Sequence, residues 1–171
     1  MKKLIVPIIL GLLVIGFPLK SIAQNVTATA TAELVEALSA DEVDQLNFGK
    51  FIAGESGGTI AVAGTAAGTI TATGTVATIG GGAPSSASFD ISGLASQNVT
   101  VGLPANGTVN LTHETTSDVM NVASFSVSAS TLTLSSTGDA TVYVGASLTV
   151  PASGVSVGVY SGTYQVTFAY Q

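Results

Sequence analysis

The chain has no cysteine and no tryptophan, and its 171 residues include a single histidine and four basic side chains, all of them lysine. Each shortage excludes something. Without cysteine there is no disulfide and no thiolate metal site, so side-chain packing alone must hold the fold. Charged residues make up 8% of the chain, against about 25% in typical soluble domains. Ala, Gly, Ser, Thr and Val fill that deficit, which excludes a disordered polyelectrolyte.

Three of the four lysines fall within the first twenty residues. Met1 to Lys3 is short and basic, Leu4 to Phe17 is almost uninterruptedly apolar, and Ser21-Ile22-Ala23 places small residues before a cleavage point. That three-part pattern predicts a secretory signal peptide over residues 1–23, cut between Ala23 and Gln24. The apolar run is shorter than the roughly 20 residues a spanning helix needs. A secreted protein is expected, placed in the bacterial periplasm, on the cell surface or outside the cell, with no membrane association after cleavage. Residues 24–171 then form a single domain in which Lys50 is the only cation beside all ten acids. One lysine cannot neutralise a row of phosphates, so no nucleic-acid partner is expected.

What is present is alternation. Val26, Ala28, Ala30, Ala32 and Leu34 share one face of an extended segment, with threonines and Glu33 on the other. Leu46–Ile52, Ala87–Ser92, Val99–Leu103, Val109–His113, Phe125–Val127, Leu132–Leu134 and Val142–Val150 read as further strands, with bulges expected at Gly49 and Gly145. Residues 68–79 read as a hairpin or one long bent strand, and Gly80–Ser86 as a loop. Tyr164, Val166, Phe168 and Tyr170 alternate with polar or small residues, which predicts an aromatic core strand. The acid-rich stretch 36–45 is expected to be a connection, with Ser39 and Glu42 spaced for one helical turn. No later segment keeps a 3.6-residue apolar period, so the fold class is all-β. Nine to eleven short strands with uneven loops favour an antiparallel β-sandwich.

The chemistry-bearing residues form no set. His113 stands alone and is expected at the surface or rim, since metal sites and serine nucleophiles both need convergent partners. Asp41-Glu42-Val43-Asp44 lacks the glycine and spacing of a calcium loop, and Gly80-Gly81-Gly82 lacks the lysine and following helix of a phosphate loop. No catalytic residue, cofactor or metal is assigned, and a non-enzymatic protein is expected. The best-exposed aromatics for a ligand are Tyr143 and Tyr160, both beside expected loops.

Several segments together resemble a known family. They are the Ala/Thr strand at 26–34, Leu46-Asn47-Phe48-Gly49, Ala87–Gly93, Val144–Val150 and Gly158–Tyr170. In that order they resemble the bacterial secreted domains of unknown function 4402 (DUF4402). The resemblance covers essentially the whole of residues 24–171, and it implies an immunoglobulin-like sandwich with no catalytic residues to carry over.

The C-terminus is also similar to that of chaperone–usher pilins and spore-coat-U-like proteins. Those subunits end in a strand with a penultimate aromatic and a glycine fourteen residues from the end, the positions of Tyr170 and Gly158 here. This similarity implies that Gly158 and Tyr170 take part in assembly or in recognition by a periplasmic chaperone. It also implies that residues 24–35 are donated to a neighbouring subunit. The chain departs from that pattern in its small, Ala-rich face and in lacking the group's cysteine pair, and these leave the other placement open, as the first strand of the chain's own domain. The expected function is a structural or adhesive cell-surface protein, with a fimbrial subunit as its sharpest form and other surface subunits as partners. The alternative is a secreted module that binds a glycan or another small ligand.

Overall fold

The computed structural model describes residues 24–171, so the expected signal peptide lies outside the described residues. The chain divides into two units, Met1–Glu33 and Leu34–Gln171. The described part of the first, residues 24–33, contains no strand, and its side chains are exposed, with Val26 at 81%. The strand expected over 26–34 as the first of the chain's own domain is therefore absent. Alternation gives the segment the capacity to pair, but no described strand supplies the hydrogen bonds.

The second unit is all-β, with thirteen strands where nine to eleven were expected. The first six are β1 (Ser39–Asp44), β2 (Lys50–Ile52), β3 (Gly58–Val62), β4 (Ile70–Gly74), β5 (Ala77–Ile79) and β6 (Ala87–Ser92). Then come β7 (Asn98–Gly102), β8 (Val109–His113), β9 (Val119–Val127) and β10 (Thr131–Thr133). The last three are β11 (Asp139–Val150), β12 (Tyr160–Ser161) and β13 (Thr167–Tyr170). All pairings are antiparallel.

The spine is β11. Along one side its first half pairs with β6 and its second half with β3. Along the other it pairs with β9, which continues to β8 and then β12. β1 extends the sheet beyond β6, and β4 beyond β3. The register shift opposite Ser147 and Leu148 places the extra residue, Ala123, in β9, so β11 runs through Gly145 without the bulge expected there.

Side-chain alternation makes this sheet one wall of a sandwich. Val142, Val144, Ala146, Leu148 and Val150 of β11 are all buried on its inner face. Over its first half lies the three-stranded sheet β10-β7-β13, and Ile91, Val99, Val101, Leu134 and Val142 form one core cluster there. Over its second half, Phe48 and Val76 pack on Ile60, Val62, Met120, Val122, Leu148 and Val150, with Phe51 of β2 against them. Burying a side chain of this size stabilises a fold by about 1.5–3 kcal/mol, so these clusters can do without a disulfide.

Two further expectations are corrected. The acid-rich stretch forms β1 instead of a helical turn, because its backbone pairs with β6 from Ser39↔Ser92 to Asp44↔Ser88. Its acids hide the strand from an apolar-pattern reading. The C-terminal aromatic strand is shorter than expected, and β13 is an edge strand that pairs only with β7. Phe168 and Tyr170 are half-buried, not central.

Candidate functional site

The edge formed by β13 pairs on one side only among the described residues. The Gln171 amide donates to the Asn98 carbonyl at 3.0 Å, continuing the β13–β7 register. Hydrogen-bonded residues alternate in an antiparallel pair, so Ala169 and Thr167 also bond toward β7. The N–H and C=O groups of Phe168 and Tyr170 then face the opposite side, where no described strand pairs.

Beside this edge the core is open. Phe168 meets Phe89 of β6, with ring centroids 5.7 Å apart, and both rings are half-buried. On β1, Ala40 lies opposite Ile91 and Glu42 opposite Phe89, so both point to the inner face of the large sheet. Yet every residue of β1 is exposed. Among the described residues no layer covers β1, and the uncovered strip runs between it and the edge of β13 that no described strand pairs.

Tyr170 closes one end of that strip. Its hydroxyl accepts the Leu94 N–H at 2.7 Å and donates to the Glu36 carbonyl at 3.2 Å. A Cβ on Gly93 would collide with that hydroxyl, so glycine there makes room for the tyrosine. Tyr164 stands nearer the other end of the strand, its ring 5.3 Å from that of Phe125. Its shielded hydroxyl has no hydrogen-bond partner. Burial, and secondarily the charge of Glu42, push the phenol pKa of Tyr164 upward. A shallow cleft of about 720 Å³ lies beside Tyr164, lined by Thr108, Thr163, Gln165 and Thr167 among others; no acid, lysine or histidine lines it.

The second built feature joins the β8–β9 turn to the loop before β12. His113, expected at the surface, is only 8% exposed. Its Nδ1 accepts the backbone N–H groups of Thr115 and Thr116, each at 3.1 Å. That leaves the ring proton on Nε2, which donates to the Val157 carbonyl at 3.2 Å. Gly158 lies directly against the ring, where a Cβ would collide with Nε2. The structure thus gives Gly158 a packing role at His113, and Tyr170 a tethering role at Leu94 and Glu36.

The neighbours complete this junction. Asp118 Oδ2 accepts the Ser156 N–H and the Thr116 hydroxyl, each at 2.8 Å. Hydrogen bonding from the Ser156 side chain first, then from Thr116 and the Ser156 amide, holds its carboxyl below the usual range. The Tyr160 hydroxyl donates to the Ser156 carbonyl at 2.7 Å, and its ring meets His113 edge-on at 4.9 Å. Burial raises the Tyr160 phenol pKa, with Asp118 adding to it. With its hydroxyl engaged and its ring half-buried, Tyr160 is a poor ligand contact. Tyr143 is half-buried on the outer face of β11, its amide donating to Ser128 Oγ at 3.0 Å. The two tyrosines are not brought together.

Sequence reasoning missed this junction because His113 bonds chiefly to backbone atoms, with the Thr115 hydroxyl at 3.3 Å its one side-chain partner among the described residues; its turn partners lie two and three residues away and Val157 forty-four. Among the described residues, no three His, Asp or Glu side chains converge to hold a metal ion.

No curated protein and no solved structure matches this chain. Residues 38–170 match the family model described as "Domain of unknown function (DUF4402)", and with that match spanning β1 to β13 the chain belongs to the DUF4402 family.

Proposed function

We propose that this protein is a non-enzymatic, secreted structural or adhesive subunit of the bacterial surface, and that it self-associates by strand addition. Residues 26–34 of one copy would pair with the free edge of β13 in another and cover the strip over β1. The observation that carries this reading is a mismatch within one chain: among the described residues, an alternating segment has no partner and a sheet edge has none either. Leu34 is 99% exposed and Val26 81%, while Phe168 and Tyr170 offer unpaired backbone groups beside half-exposed rings.

The chemistry of the two parts is compatible. Strand addition gains affinity from main-chain hydrogen bonds and specificity from alternate side chains. Ala28, Ala30 and Ala32 present a small apolar face that would cover Ala40 and Phe89. The segment Leu34-Val35-Glu36-Ala37 contains no Gly, Pro, Asn or Asp to reverse the chain. That favours donation to a second copy over folding back. The immunoglobulin-like form of the sandwich belongs to this proposal, as does a chaperone that would hold the open edge before assembly.

Sedimentation of residues 24–171 at increasing concentration tests the reading. Oligomers are expected for the wild type and for Thr29→Asp, whose carboxylate lies on the outward face, and monomers for Ala30→Asp. A wild type that stays monomeric at millimolar concentration, or an Ala30→Asp variant that still assembles, would overturn it.

A further inference from the structure

We propose that His113 is a protonation-sensitive latch that clamps the 151–159 loop to the β8–β9 turn at neutral pH and releases it in acid. This inference is independent of the assembly reading. It rests on the division of labour between the two ring nitrogens. Nδ1 is committed as an acceptor of two backbone N–H groups, from Thr115 and Thr116. Nε2 carries the proton and holds the Val157 carbonyl. One neutral tautomer satisfies both sides of the junction.

Adding a proton breaks that arrangement. A histidine is the side chain that ordinarily takes up a proton between about pH 5 and 8. The proton can go only to Nδ1, where both turn-amide bonds would be lost and only the Thr115 hydroxyl, 3.3 Å away, could accept it. Flipping the ring does not help, because it places a carbon where Nδ1 stood. The imidazolium exchanges two amide bonds for at most one long bond to the Thr115 hydroxyl, which favours its leaving the turn, and the Val157 carbonyl loses its donor when it does.

The charged and titratable groups around the ring decide where it goes. From its own turn they are Glu114 and Asp118; from the loop and β12 side, Tyr160 alone. The Glu114 amide donates to the Val159 carbonyl at 3.2 Å, a second stitch of the same clamp. Asp118 Oδ2 is occupied by Ser156 and Thr116 in the latched form. An imidazolium that leaves Nδ1's pocket can pair with this carboxylate, and in doing so it competes with the Ser156 amide. Acid thus exchanges a loop contact for a contact within the turn.

Besides the bonds of Ser156 and Val159 and the packing of Val155 on the core, the loop is held only weakly by strand pairing. β12 pairs with β8 over only two residues, Tyr160↔His113 and Ser161↔Thr112. Val157 and Val159 are exposed on the loop, at 103% and 61%. Unlatching frees a stretch that presents apolar side chains to solvent, while β11 and the rest of the sandwich keep their pairing.

The test is amide hydrogen exchange by NMR on residues 24–171 from pH 7.5 to pH 5, corrected for intrinsic exchange. Protection at Thr115 and Thr116 is expected to fall by about tenfold, the factor that one net hydrogen bond is worth, with Val142 and Leu148 unchanged. In His113→Asn, a carboxamide oxygen can still cap the turn amides but does not titrate, so protection there is expected to be pH-independent. Wild-type protection that stays flat, or the same fall in His113→Asn, overturns the proposal. The imidazole nitrogen shifts of the wild type give a check that needs no variant: a neutral ring with its proton on Nδ1 overturns it too.

Discussion

The Tyr170 hydroxyl is the hydrogen-bond acceptor for the Leu94 backbone amide at 2.7 Å, across seventy-six residues of sequence. The same oxygen donates to Glu36, so one atom near the end of the chain fixes both a loop between β6 and β7 and the approach to β1. Tyr170→Phe removes both bonds and leaves the Leu94 N–H without its acceptor. A loss of about 1–3 kcal/mol is expected in urea unfolding. Gly93→Ala should lose a comparable amount by displacing the hydroxyl, and combining the two should cost less than their sum.

Tyr164 presents the opposite case, a shielded hydroxyl with no partner. Tyr164→Phe is expected to raise stability by about 1 kcal/mol, because it removes a desolvated polar atom while keeping the ring against Phe125. The phenol pKa is higher in the folded than in the unfolded chain. The folded state therefore keeps its proton longer, and that contribution is present below about pH 10, the unfolded phenol value, and is lost as pH rises beyond it. Unfolding midpoints from pH 8 to 11 should fall more steeply for the wild type than for Tyr164→Phe.

Gly158→Ala forces a Cβ into the space of the His113 ring. A cost of about 1–3 kcal/mol is expected, the usual range for overpacking. Because the clash is with one side chain, His113→Ala in the same molecule should recover part of it. No recovery in the double variant would show that the glycine serves something other than the ring.

Asp118 works in the acid range. Its bonds from Ser156 and Thr116 hold the carboxyl below its ordinary value, so the stability it contributes is present above about pH 4 and is lost as pH falls further. Asp118→Asn should flatten the acid limb of the stability–pH curve below pH 4, measured by thermal unfolding.

Asp41 and Asp90 stand directly opposite each other on β1 and β6. Like charges across a strand pair are destabilising, and only the Thr141 hydroxyl bonds to Asp90, at 2.7 Å. Asp41→Asn is expected to raise the melting temperature at low salt, with the gain shrinking in 1 M sodium chloride as screening replaces the substitution.

The legible parts of this fold were those where side-chain period and partner agreed. Val142 to Val150 alternates in sequence and is buried on alternate positions, and Ile91, Val99 and Val101 behave likewise. Elsewhere period and partner separate. β1 has no apolar period because neither of its faces is covered, so Ala40 and Glu42 read as a loop. Residues 26–34 alternate cleanly and pair with nothing described. At the open edge, Phe168 and Tyr170 announce a strand, but their number and spacing carry no information on whether a neighbour lies beyond it. The His113 junction was invisible for another reason, since its partners are chiefly backbone amides and a carbonyl.

β11 pairs with β6, β3 and β9, all of which precede it in the chain. Short hairpins such as β3–β4 and β8–β9 can close by themselves, but the strands that must lie side by side in the large sheet have no common partner until residues 139–150 exist. The keystone is laid late. A chain emerging from its N-terminus therefore stays uncommitted for about four-fifths of its length, and folding waits on contacts between distant residues, which makes it slow.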